Sequence, residues 1–106
     1  MYNVVVEPET GDKLIELAVA YALEHGEYSS EKLIKSFERA VASLEFMPQR
    51  GCQTIEYIPE KYRTIPFWQH LWLIYQIDED SLTVFIDHVI DERSDYGALI
   101  SSPQVH

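Results

Sequence analysis

Between Tyr62 and Val89 the chain reads YRTIPFWQHLWLIYQIDEDSLTVFIDHV, and no other stretch constrains the fold as tightly. Leu71, Leu73, Tyr75 and Ile77 recur at every second position, as do Leu82, Val84 and Ile86 beyond the polar break Asp78–Ser81. Period-two runs of branched and aromatic residues, divided by polar turns, predict antiparallel hairpins. Three short strands joined by two tight turns are therefore expected. With Ile77 opposite Leu82, Tyr75 would face Val84 and Leu73 would face Ile86. One side of the sheet is then almost wholly aliphatic, and that side is the expected core.

The other side follows from how the first of these strands turns back. Folding Tyr62–Phe67 across Trp68-Gln69 sets Phe67 opposite His70, Ile65 opposite Trp72 and Arg63 opposite Ile74, and residues that face each other across antiparallel strands share a side. Arg63, Ile65, Phe67, His70, Trp72, Ile74, Thr83, Phe85 and Asp87 would line this second side. Ile65, Phe67, Trp72, Ile74 and Phe85 make it too apolar to be left in water, so they form the candidate binding surface. Its expected cover is a partner protein, a second copy of the chain in a homodimer, or the chain's own segment Tyr96–Ile100.

Upstream, Tyr2–Glu7 alternates and reads as a strand ended by Pro8, after which Thr10-Gly11-Asp12 offers a helix start. Leu14, Leu17, Ala18, Tyr21 and Ala22 recur at helical spacing as far as His25, and Gly26 stands where a left-handed helix end is favoured. A second helix is expected from Ser29 or Ser30, with Leu33, Phe37, Ala40, Val41 and Leu44 as its buried stripe. Lys32, Lys35 and Arg39 fall on the opposite side, a solvated ridge by default and a phosphate-facing one in the functional reading. Pro48 breaks this helix at Met47. Thr54–Ile58 reads as a short edge strand, and Tyr96–Ile100 as a turn of helix after the acidic Asp91-Glu92-Arg93-Ser94-Asp95.

Two consecutive amphipathic helices must bury their stripes on one sheet face. The expected class is α+β, a two-helix hairpin on one face of a small antiparallel sheet, in the order β-α-α-β-β-β with Thr54–Ile58 as a possible further strand. One domain over residues 1–100 is expected, with 101–106 as a flexible tail. At 106 residues such a domain buries roughly 65% of the surface its unfolded chain exposes.

Charge narrows the partners. The net charge is −10, distributed as −6 over residues 1–31, +2 over 32–63 and −6 over 64–106. Nucleic-acid binders present a basic stripe and a high pI, so direct nucleic-acid binding is not expected. No apolar run is long enough to span a bilayer and no secretory leader opens the chain. Together with Cys52, a single cysteine that excludes an internal disulfide framework, this predicts a cytoplasmic protein.

The chemistry-bearing residues form no known constellation. His25, His70, His88 and His106 lack helical metal-pair spacing, and His70 and His88 are expected on opposite faces. The four glycines are scattered, so no phosphate loop is present, and neither metal nor cofactor is expected. Glu56, Glu60, Asp78–Asp80 and Asp91-Glu92 read as solvated carboxylates. Asp87 is the exception, expected on the open face within reach of Arg63 or His70 as an ion-pair partner or general acid–base.

The opening YNVVVEP, the helix end LEFMPQRG, the strand KYRTIPF, the run WLIYQIDED and the closing VFIDHVIDERSDY together resemble, in order and spacing, the RelE/ParE superfamily of bacterial type II toxins. The resemblance runs to about Leu99. It implies a small cytoplasmic toxin neutralised by a cognate antitoxin. In the branch that cuts mRNA on the ribosome, basic residues and a C-terminal Tyr do the work, and the corresponding positions here are Arg63, Ile65, Trp72, the Asp91-Glu92 region and Tyr96. Arg63 and Tyr96 are the catalytic candidates. Of the basic positions only Arg63 is charged positively, and residues 62–93 hold two Arg against six acids. Phosphoryl chemistry needs charge stabilisation that this set does not supply. The long hairpin Asp12–Phe46 followed by Met47–Gly51 is more similar to the ParE-like branch, which implies action by binding DNA gyrase. A non-toxic binding relative and a ribosome-dependent endonuclease stand as the alternatives.

Overall fold

A computed structural model describes residues 1–51 and 61–91. Its order is β1 (Asn3–Val6), α1 (Pro8–His25), α2 (Glu27–Phe46), a single 3-10 turn at Pro48–Arg50, β2 (Arg63–Trp68), β3 (Leu71–Asp78) and β4 (Thr83–Asp91). The α+β class and the helix hairpin match the expectation. Thr54–Ile58, Tyr96–Ile100 and the tail 101–106 lie outside the described residues.

Both helices begin earlier than the cap residues suggest. Pro8 occupies the first turn of α1, where its missing N–H costs nothing and its fixed φ suits the helix. The same proline therefore ends β1 and starts α1. Gly26, at φ 92°, separates the helices alone. A residue with a Cβ rarely adopts that angle, so glycine permits the direct reversal and α2 starts at Glu27, ahead of Ser29 and Ser30.

The four strands form one sheet in the order β1-β4-β3-β2. β2, β3 and β4 are antiparallel neighbours, whereas β1 runs parallel to β4, Asn3 beside Thr83 and Val6 beside Ile86. The expected wholly antiparallel sheet is thus corrected to a mixed one. The two-helix crossover between β1 and the later strands supplies the long connection that parallel pairing requires.

The helices cover one sheet face. Ala40 and Leu44 of α2 pack with Ile65, Leu73, Tyr75, Val84, Ile86 and Val89, while Leu14 and Ala18 of α1 pack with Leu33 and Leu71. Leu33, Leu44, Leu71 and Leu73 are fully buried, each worth roughly 1.5–3 kcal/mol relative to exposure. Phe37 meets Phe67 edge-on at 5.9 Å, and Tyr21 meets Trp68 at 4.8 Å.

That packing explains a slip in β2. The chain reverses over Gln69 and His70, one residue later than expected, so that Trp68 pairs with Leu71 and Gln69 takes φ 47°. Ile65 then faces Leu73 and Arg63 faces Tyr75. A one-residue shift moves every side chain to the other side of a strand. Arg63, Ile65 and Phe67 consequently lie on the helix side, and the expectation that they share a face with Trp72 and Ile74 is corrected. The later turn brings Trp68 onto Tyr21 instead of leaving it at an exposed corner.

In the β3–β4 hairpin Ile77 pairs with Val84 and Tyr75 with Ile86, two residues from the expected register, which preserves the aliphatic face. Leu73 pairs with Val89, because the register shifts again between Ile74 and Tyr75 and leaves Asp87 as an extra residue in β4.

Candidate protein-binding face

The sheet side away from the helices carries Trp72, Ile74 and Gln76 from β3 and Phe85, His88 and Ile90 from β4, which pair across the hairpin as Trp72–Ile90, Ile74–His88 and Gln76–Phe85. Its middle is closed. Ile74, Ile90 and Tyr62 are buried together with Trp72 packed against them, and Ile74 has no exposure at all. Tyr62 also meets the His88 ring edge-on at 6.2 Å. The expectation of an open apolar face is therefore corrected at its centre. Of the five residues assigned to it, Trp72 and Phe85 are half-buried on this side, Ile74 lies beneath the surface, and Ile65 and Phe67 belong to the helix side.

Asp87 is 1% exposed. The Gln76 amide donates to its Oδ2 at 2.6 Å, and its backbone carbonyl accepts from the Thr10 hydroxyl at 2.5 Å. The bulge thus joins the first turn of α1 to the middle of β4. Burial pushes the Tyr62 hydroxyl above its ordinary pKa, and the nearby Asp87 carboxylate adds to the shift. Phe85, Gln76, Ile77 and Asp78 line a shallow hollow of about 310 Å³ at one end of this side. Sequence reasoning missed Tyr62, His88 and Ile90 as parts of it, since the bulge that aligns the last two has no residue signature.

Arg63 is held elsewhere. Its Nη1 donates to the carbonyls of Gln49 and Gly51, at 3.0 and 3.1 Å. The Tyr75 hydroxyl, fully buried, donates to the carbonyl of Pro48 at 2.6 Å. A Cβ at Gly51 would run into that hydroxyl, so glycine is required there by space. Burial raises the Tyr75 pKa, while the Gly51 backbone and the charges of Arg63 and Arg50 pull it partly back. Tyr96, Cys52, Glu56, Glu60 and Glu92 lie outside the described residues. Among the described residues no three His, Cys, Asp or Glu side chains gather as a metal site would need, and no helix is long and apolar enough to cross a membrane.

A two-helix hairpin on one side of a four-stranded sheet is the fold of a chain in the solved chromosomal ParDE TA system from P. aeruginosa. The two superpose with a TM-score of 0.70 over 86% of this chain and 96% of that one, at 14% identity. The family model described as the ParE toxin of type II toxin-antitoxin system, parDE, matches residues 4–96. The chain belongs to that ParE toxin family, within the RelE/ParE superfamily. No curated protein sequence matches it.

Proposed function

We propose that this ParE-family chain acts by binding a target protein such as DNA gyrase, that a cognate antitoxin neutralises it, and that it does not cut RNA. The observation that carries this reading is the state of the positions where the superfamily's nucleases are basic. Ile65 is 5% exposed in the helix-side core, and Trp72 packs on the buried Tyr62–Ile74–Ile90 cluster. Arg63 donates from Nη1 to two backbone carbonyls. Two of the three carry no charge to set against a scissile phosphate, and the third is engaged with the backbone. Trp72 and Phe85, half-buried on the side away from the helices, are instead of the aromatic type that dominates protein contacts.

Induced expression tests the reading. Growth arrest with a DNA-damage response, and no cleavage of ribosome-bound mRNA, is the expected outcome. Codon-specific cuts in a primer-extension assay that vanish in Arg63→Ala would overturn it in favour of a nuclease. Absence of any growth effect would overturn the gyrase arm and leave a binding module. The antitoxin arm predicts an adjacent reading frame for a partner with a DNA-binding N-terminus and a disordered, apolar C-terminal arm that folds on binding.

A further inference from the structure

We propose that the groove between α2 and β2 binds a small phosphomonoester, with Arg39 and Arg50 holding its phosphate group. This goes beyond the target-binding reading and does not depend on it. The groove has a volume of about 220 Å³. One wall is a single face of α2, where Ser36, Arg39 and Ala40 stand three and four residues apart, and the other is Pro66 and Phe67 of β2; Arg50 closes one end from the 3-10 turn.

Charge is the first argument. The chain has 18 acidic residues against 8 basic ones, yet none of the described residues that line this groove is a carboxylate. Neither Arg39 nor Arg50 forms an ion pair with another described residue. Arg39 and Arg50 thus bring two guanidiniums, unpaired among the described residues, to one concave surface. A phosphomonoester dianion balances two positive charges, whereas one carboxylate balances half of them. Its three terminal oxygens also suit two planar donor forks. Ser36 adds a hydroxyl with no partner among the described residues, while Ser43 beside it donates to the Ala40 carbonyl at 2.7 Å.

Preorganisation is the second argument. Arg50 sits on a turn fixed from three sides. Pro48 is buried and its carbonyl is bonded by Tyr75, and Arg63 grips the carbonyls of Gln49 and Gly51, the residues on either side of Arg50. A ligand contact costs less when the backbone that carries it is already immobile. Arg39 rises from the middle of the 20-residue helix α2, which is equally fixed.

The rest of the groove selects a small organic ligand over a polymer. Pro66 and Phe67, with the edge of Ala40, supply the smaller apolar part of a mainly polar groove, against which the ester's organic part would lie. Pro66 has no N–H, which works against an added peptide strand at this edge. A nucleic acid would meet a chain whose net charge is −10, which repels an extended polyanion.

Titration calorimetry and amide NMR with phenyl phosphate and with inorganic phosphate test the site. Saturable binding of phenyl phosphate is expected, with shifts at Ser36 and Phe67, no binding of phenol, and weaker binding of phosphate alone. Arg39→Ala and Arg50→Ala should each weaken it about tenfold, and both side chains are exposed, so circular dichroism should be unchanged. Lys13→Ala on α1 should leave the affinity as it was. Three results would overturn the proposal: no saturable binding up to about 10 mM, undiminished affinity in the double variant, or a single-stranded oligonucleotide binding more tightly than phenyl phosphate through the same two arginines.

Discussion

The hydroxyl of Tyr75, on the central strand β3, lies 2.6 Å from the carbonyl oxygen of Pro48 at the end of the helical hairpin. With this bond the sheet core reaches through its helix-side layer to hold the turn that follows α2. Tyr75→Phe keeps the ring and removes the bond, so it should cost about 1–2 kcal/mol by leaving a buried carbonyl unsatisfied. Gly51→Ala should cost more, since its Cβ must displace the same hydroxyl and meets the Thr64 carbonyl at 3.0 Å. Urea unfolding midpoints rank the two; an unchanged midpoint in Tyr75→Phe would mean that Arg63 holds the turn alone.

Ile74 and Trp72 are two residues apart on one side of β3 and should respond differently to truncation. Ile74→Ala empties a fully buried site and should cost about 2–5 kcal/mol. Trp72→Ala removes a half-buried ring, so the monomer should stay folded with a smaller loss while binding of the protein partner weakens. Thermal melts paired with pull-down of the partner separate these effects. A Trp72→Ala melt as low as that of Ile74→Ala, with binding retained, would make Trp72 a core residue only.

High pH should weaken the fold through two tyrosines. Tyr75 and Tyr62 have folded pKa values raised above the usual value of about 10. The folded state therefore favours their protonated forms, and this contribution is fully present below the unfolded pKa. It is lost as pH rises through the raised folded values. Phenolate absorbance should show a late-ionising phase from these two, and unfolding midpoints should fall at the alkaline end. A single tyrosine titration step at the ordinary value would contradict this.

Thr10 links the start of α1 to the bulge in β4, its hydroxyl donating to the Asp87 carbonyl in a buried setting. Thr10→Val preserves shape and deletes the donor, so a loss of about 1–3 kcal/mol is expected. Hydrogen exchange should quicken at residues 86–88, where the bulge lies. Exchange unchanged there would show that the bulge holds without the helix.

The helices were legible because their core stripes are long and periodic. Leu33, Ala40 and Leu44 are buried where the pattern put them, and Leu14 and Ala18 likewise. The β3–β4 face survived a register error because the error was an even number of residues. β2 did not, because one residue of turn position decided it, and the competing turns Trp68-Gln69 and Gln69-His70 look alike locally. What chose between them was Tyr21, 47 residues earlier, which gives Trp68 an aromatic neighbour. The Asp87 bulge and the pinning of Pro48–Gly51 were hidden for the same reason. Each is a tertiary contact between distant segments, and alternation within a strand carries no record of it. The site inherited these gaps: Trp72 and Phe85 were placed on the right side, while Ile65 and Phe67 went with the slipped strand.

The parallel seam between β1 and β4 sets an order of events during synthesis. Asn3 pairs with Thr83 and Val6 with Ile86, partners 80 residues apart in the chain. Helix contacts are local and form quickly, whereas a seam of this span waits on closure of nearly the whole chain. A ribosome that has released only the helical hairpin exposes β1 with no neighbour and the inner faces of both helices with no sheet to cover. The native sheet is thus unavailable to any nascent fragment that ends before β4, and it closes in a late step when β4 slots between β1 and β3.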